Sequence, residues 1–447
     1  MEVSLPHKIV QSSFIEYIRS KSEIVFFLIL FFAIFFRVFR YNIGIFAFTT
    51  YLTYPMALIF LAFQFLNFID VNYHKTLFVV YFMFLAWLMY GVITLFFTIA
   101  PDESLSTLHL RFSSFLNFYV VTQFLTSTKR FKMFELSLFI CLIWNICVAF
   151  WEITTFNHLP MSNYADIISF VPTGAFVSEN TFASKLLVCS SFLFFVKGKF
   201  YRHVAVSVLF LLFVIFCAQG ARLAIMVFLP FLMYVFFKWT NFTYKLCLIL
   251  LCIFTLNALY KQMPFAKTLI QQQIDTGILS FTAEQESLFQ GSTRARIETL
   301  KIGIEEFVAS AGLGTGVGSF GVVILSPQHV DKTMYTINAH FMFVEVLATE
   351  GIIGFILLFF IIFTCLLPIV VKDNRFSLFR WKSLSPDEQH VILILLFIIV
   401  GTTLIASYRT KFIYWIILGY AYALMFNKPE THDSHEKSAF RLIGISP

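Results

Sequence analysis

His340 stands in Asn338-Ala339-His340-Phe341-Met342, after a long polar loop and directly ahead of an apolar run that continues to Val371. An imidazole at such a boundary titrates near neutral pH and can take a proton from a hydroxyl or return it. A helix-capping or interfacial histidine is the plainer alternative. Arg222 lies in Cys217-Ala218-Gln219-Gly220-Ala221-Arg222-Leu223-Ala224, between two apolar segments. A guanidinium placed there costs about 2.5–3.5 kcal/mol on insertion scales, so it needs a partner, a route to the interface or a task. Few carboxylates are near it in the chain. A planar fork at that depth suits a lipid-linked phosphate.

The elements that must hold these groups are apolar helices. Apolar residues make up 59% of the chain and charged residues 13%, where a soluble domain carries about 25% charge. Mean hydropathy is +0.82. The chain therefore reads as an all-α polytopic membrane protein. Its seven cysteines fall inside apolar runs without CxxC spacing, so they read as small hydrophobes, not as disulfides or zinc ligands. No DxD, HExxH or His pair at i,i+4 marks a metal site, and no cofactor is called for. The run Ile24–Phe36 has no small-residue cleavage site and reads as a retained helix.

Apolar runs place helices near 24–39, 43–69, 76–99, 108–125, 133–156, 182–196, 202–218, 221–238, 245–260, 341–371, 390–407 and 411–426, about twelve spans in all. The fourth looks amphipathic because of Arg111 and its Ser and Asn residues, and the sixth is short and carries Lys185. Basic clusters at Lys129-Arg130-Phe131-Lys132, Lys197–Arg202 and Lys372–Lys382 alternate with loops 100–107 and 157–181, which hold no Lys or Arg. By the positive-inside rule both termini are then cytoplasmic, and the net charge of +7 reflects topology, not nucleic-acid binding. The division is residues 1–260 as the first group of spans, 261–340 as a large extracytoplasmic loop between helices nine and ten, 341–427 as the last spans and 428–447 as a cytoplasmic tail.

That loop is far longer than a connector needs. It contains an amphipathic pattern, Arg296-Ile297-Glu298-Thr299-Leu300-Lys301-Ile302-Gly303-Ile304, and then Gly312-Leu313-Gly314-Thr315-Gly316-Val317-Gly318-Ser319-Phe320-Gly321. The latter satisfies GxGxxG by letter, but no βαβ unit surrounds it. A tight turn packed against the membrane face is the better reading.

These pieces together resemble the bacterial O-antigen ligase and polymerase superfamily, mainly over residues 176–360. The matching elements are a His opening a helix that runs into Glu350-Gly351-Ile352-Ile353-Gly354, an arginine between two spans (here Ala221-Arg222-Leu223 in place of Ser-Arg-Gly), and a glycine-rich segment that lacks the family's proline. An arginine opening the loop helix also matches, Arg296 first and Arg294 second. Phe176-Val177-Ser178-Glu179-Asn180-Thr181-Phe182-Ala183 is similar to an Asn-x-x-Ala element. Asn180 could there hydrogen-bond sugar or phosphate, and Glu179 could serve as acid or base.

The resemblance implies a GT-C-like, metal-independent glycosyltransferase of the bacterial inner (plasma) membrane, with its site facing the periplasm or exterior. The donor would be a glycan on undecaprenyl diphosphate and the acceptor a glycan or lipid. A chain-length regulator and a flippase would be partners, and nucleic acid would not. Arg222 and Arg296 would hold the diphosphate while His340 acts on the acceptor hydroxyl. The expected activity is polymerisation of lipid-linked repeat units, with ligation to lipid A-core or protein as the alternative. A polysaccharide transporter or flippase is the rival class, although the polar residues gather in one loop and at outer helix ends, not at a mid-membrane repeat interface.

This topology predicts that a membrane-impermeant thiol reagent applied to intact cells labels a cysteine placed at Gln285 but not one placed at Leu378. Protection of position 285 would move every candidate residue to the other face.

Overall fold

A polytopic chain must satisfy its backbone polar groups within each lipid-exposed segment, which leaves helices or closed barrels. In the computed structural model every regular element among the described residues is a helix. Those residues are 21–32, 53–69, 74–160, 162, 171–174, 176, 178–240, 244–245, 292–329, 341–371, 384–404 and 412–427. After a helical stretch at 21–32 come α1 (Thr53–Phe65), α2 (Lys75–Thr94), α3 (Pro101–Phe124), α4 (Thr128–Thr155), α5 (Glu179–Cys189), α6 (Lys199–Gln219) and α7 (Arg222–Trp239). There follow α8 (Ser292–Ala309), α9 (Phe320–Ile324), α10 (Met342–Phe363), α11 (Leu367–Val371), α12 (Pro386–Leu404) and α13 (Phe412–Phe426). Six of the described helical segments are long and apolar enough to cross a membrane, and α1 and α13 are shorter apolar helices. The expected helix at 245–260 and the tail 428–447 lie outside the described residues, apart from a helical Lys245.

Two boundaries differ from the sequence expectation for a physical reason. The loop expected at 100–107 is instead the start of α3, with Pro101 at its first position and Asp102 and Glu103 in its first turn. Proline is preorganised for that place and carboxylates favour the positive helix end. The sixth expected span is α5, which ends at Cys189 and passes into a 3-10 turn over Ser191–Phe195.

Polarity in this bundle points inward. Helix α3 packs most extensively on α13 and also on α1 and α2, and it buries Arg111, Ser113, Ser114, Asn117, Thr122 and Gln123. Several of these hydroxyls and amides bond carbonyls on their own helix, as Asn117 does to Ser113 (2.7 Å) and Thr122 to Phe118 (2.9 Å). Helix α5 is buried from Phe182 to Cys189. Ser184 donates to the Gly401 carbonyl of α12 at 2.9 Å, and Lys185 Nζ lies 3.8 Å from the centre of the Phe176 ring. Lipid-facing positions carry the apolar residues, for example Phe78, Phe82, Ile356 and Phe360.

One ionic contact joins three helices deep in the bundle. Arg111 Nη2 of α3 meets Glu350 Oε1 of α10 at 2.5 Å, with both side chains buried. Trp87 of α2 donates from Nε1 to the other carboxylate oxygen at 2.7 Å, and its own carbonyl accepts from Arg111 Nη1 at 3.2 Å. The guanidinium also stacks on the Trp87 ring, 3.8 Å from its centre.

Immediately after Glu350 the helix breaks. Gly351 has φ 64° and ψ −163°, a region essentially reserved for glycine. The break frees backbone groups that the membrane cannot satisfy, and the glycine-rich segment satisfies them. Thr315 N–H donates to the Ala348 carbonyl (3.0 Å), Gly316 N–H to the Thr349 carbonyl (2.8 Å), and the Gly312 carbonyl accepts from Ile352 N–H (2.9 Å). The two backbones run so close that a Cβ on Gly314 would stand 2.5 Å from the Thr349 carbonyl carbon, and one on Gly351 2.1 Å from the Gly312 oxygen. The expected tight turn is present, docked on a broken span.

Removing one partner of a buried ion pair leaves the other charge stranded and costs about 3–5 kcal/mol, whereas replacing both by apolar residues is far milder. Arg111→Met and Glu350→Met should therefore each lower the melting temperature of the detergent-solubilised protein more than the double variant does. Equal or greater loss in the double variant would mean that the pair is not the link described. Gly351→Ala should be at least as damaging as either single change, because its Cβ has only backbone to meet.

Candidate functional site

Away from the broken span, a second group of helix ends is fixed by one buried carboxylate. Glu152, in the last turn of α4, accepts from Gly174 N–H (2.6 Å) and Thr173 N–H (2.8 Å), with His158 Nδ1 at 3.2 Å. This clamps the segment that leads into α5. Gln219, the last residue of α6, donates from its side chain to the Pro172 carbonyl at 2.9 Å. The chain then turns through Gly220 in the left-handed region (φ 63°) and enters α7 at Arg222. The start of α5 and the start of α7 are thus tied to the same loop.

Arg222 is exposed and, among the described residues, its side chain makes no hydrogen bond or ion pair. It is the first residue of α7. A cation at a helix N-terminus is set against the positive end of the helix dipole, so the protein itself gives this charge no stabilisation there. The same end offers free N–H groups, and together they suit an anion.

Arg296 lies near the start of α8 and is half-buried, with a buried Nε that has no hydrogen-bond acceptor. Burial pulls its guanidinium below the ordinary arginine range, and the neighbouring Glu179 carboxylate pulls the other way. The group stays cationic regardless. Glu179 is the first residue of α5, after the Ser178 N-cap. Asn180 Nδ2 reaches Glu179 Oε1 at 3.4 Å. Arg296, Glu179 and Asn180, singled out separately in sequence, are therefore neighbours.

Helix α8 also packs on the first part of α10, where a Cβ on Gly303 would stand 2.6 Å from Val344 Cγ1. A small separate core of Ile302, Phe320, Val323, Ile324 and Ala348 holds α8, α9 and this half-helix together. His340 and the side chain of Arg294 lie outside the described residues, although His340 comes two residues ahead of α10 in the chain. Sequence reasoning passed over Arg111 and Glu152. A buried polar side chain within or at the end of an apolar run is the signal that could have found both.

Residues 204–359 match the family model for O-antigen ligase. That match supports the resemblance to the O-antigen ligase and polymerase superfamily. The matched stretch contains Arg222, Arg296, the glycine-rich segment, His340 and Glu350, and leaves Glu179, Asn180 and Arg111 outside it. No curated protein matches the chain.

Because the Arg222 side chain is exposed and makes no contact that ties elements together among the described residues, Arg222→Lys should leave protein abundance in the membrane unchanged. Glycan synthesis should fall at least about tenfold, or ~1.4 kcal/mol, through loss of the bidentate fork. Full activity in Arg222→Ala would reduce the residue to an interfacial anchor.

Proposed function

We propose that the protein transfers a glycan from undecaprenyl diphosphate to an acceptor hydroxyl, and that its activity is polymerisation of lipid-linked repeat units into a surface polysaccharide. The observation that carries the reading is that two arginines of the matched domain leave side-chain hydrogen-bonding capacity unused among the described residues, Arg222 at a helix start tied to the loop before α5 and Arg296 within electrostatic reach of Glu179 at the start of α5. In the proposed step the acceptor oxygen attacks the anomeric carbon, and the bond from that carbon to the diphosphate oxygen breaks. The diphosphate leaves with the electron pair, and Arg222 and Arg296 stabilise the charge that develops on it. The acceptor proton passes to His340. A single direct displacement inverts the anomeric centre. Asn180 and Glu179, beside Arg296, would contact the donor near its first sugar, with Arg294 as a further contact.

The proposed site faces the cell exterior across the inner membrane. Support comes from the distribution of charge over the two ends of the bundle. The Asn427 side chain bonds the Thr122 carbonyl at 2.6 Å, and the His74 and Phe426 rings lie 5.1 Å apart, which brings the end of α13, the end of α3 and the start of α2 together. Lys75, Lys129, Arg130 and Lys132 cluster at that end, opposite the candidate residues. Such clustering marks the cytoplasmic face.

Ligation uses the same donor chemistry and differs only in the acceptor. Deleting the gene in its host and resolving surface glycan on a gel separates the two. Loss of a polymerase leaves single repeat units on their normal carrier, whereas loss of a ligase accumulates long chains on the lipid diphosphate. His340→Ala should reproduce the deletion pattern, whichever it is. Normal-length, correctly attached glycan from His340→Ala would remove the catalytic role and restore the transporter class.

A further inference from the structure

We infer that α8 is an interfacial helix whose outward face lies among the lipids of the bilayer. A loop helix bathed in water should turn apolar residues inward and polar residues outward. Helix α8 is apolar on both sides. Its inner side buries Ile302 beside Thr299, with Gly303 against Val344. On the opposite side Ile297, Ile304 and Val308 are 47%, 55% and 69% exposed, and their spacing of seven and then four residues sets them in one stripe. The exposed Lys301 falls at the edge of the same stripe, its ammonium paired with Glu298 at 2.9 Å, and its stem is long enough to hold that pair at the water side of an apolar bed.

The position of α8 along the bundle sets that stripe at membrane height. Gly312, just past its C-terminal end, accepts from Ile352 N–H at 2.9 Å. Ile352 and Ile353 begin the lipid-facing row of α10, which continues through Ile356, Phe359 and Phe360. The apolar span containing α10 runs from Met342 to Val370. Its part from Gly351 onward already reaches about 30 Å at 1.5 Å per residue, the thickness of the hydrocarbon core. The half-helix Met342–Glu350 therefore stands at the interface, and α8 packs against it. Exposed Leu313 continues the apolar surface from α8 toward Ile352. The stripe is continuous with the lipid-facing surface of the spans, and acyl chains are the occupant that this continuity selects. On the proposed reading of the site, the same placement sets Arg296, next to Ile297, at headgroup depth, where the diphosphate of a lipid carrier lies.

The test is a benzophenone amino acid at position 304 or 308 of the full-length protein, irradiated in native membranes and followed by peptide mass analysis. Peptides containing these positions should carry the added mass of a phospholipid. Crosslinks to another segment of this chain, or to a second protein, would overturn the inference by showing that protein covers the stripe. Absence of any adduct, the outcome for a residue facing water, would overturn it equally. The readout does not depend on turnover, so it fails or succeeds separately from the proposed reaction.

Discussion

The arrangement at this end of the molecule depends on a span that is interrupted at Gly351 and on what the interruption demands. A helix broken near the membrane exposes carbonyl and amide groups that lipid cannot satisfy. Here the Ala348 and Thr349 carbonyls and the Ile352 amide are met by the backbone of residues 312–316. That solution requires two main chains at van der Waals distance, which explains the glycine at position 314. The Arg111–Glu350 pair fixes the break to α3, and Trp87 adds α2 through a hydrogen bond to the same carboxylate. Helices α8 and α9 are consequently referenced to the bundle through a buried ion pair and the backbone hydrogen bonds of the glycine-rich segment.

The sequence made most helices legible because apolar runs of this length have few alternatives in a membrane. It misjudged those that carry polar residues. Arg111 and its Ser and Asn residues give the span at α3 an amphipathic look, and Lys185 weakens α5, yet both lie in the core of the bundle. Hydrophobic periodicity reports which face is polar. Whether that face points to water or to the bundle interior is decided by the solvent on the far side, and in lipid the sense is reversed.

Legibility of the site divides along a similar line. Arg222, Arg296, Glu179 and Asn180 could be picked out by residue type, local pattern and family resemblance. Their relationships could not. Glu179 and Arg296 meet across more than a hundred residues, as do Arg111 and Glu350, and no local rule pairs one carboxylate with one guanidinium over that separation. The glycine-rich segment was readable as a turn, but its partner, a broken helix, is visible only once Gly351 is seen in its positive-φ conformation.

The treatment of arginine gives the strongest physical contrast in the molecule. Arg111 is held by Glu350, the Trp87 carbonyl and the Trp87 ring. Arg130 is held by Glu23, the Phe124 carbonyl and Thr126. Both guanidiniums are buried and each meets a carboxylate, although the Nε of Arg130, like that of Arg296, has no acceptor. Arg222 and Arg296 are treated differently. One is exposed at a helix N-terminus with no side-chain partner among the described residues, and the other is half-buried with its Nε unmatched. Arg296 feels the Glu179 carboxylate electrostatically, but among the described residues neither it nor Arg222 has a carboxylate contact of the kind that Arg111 and Arg130 make. On the proposed reading, the absence of such a contact spares the diphosphate the displacement of an internal carboxylate before its oxygens bind the two guanidiniums.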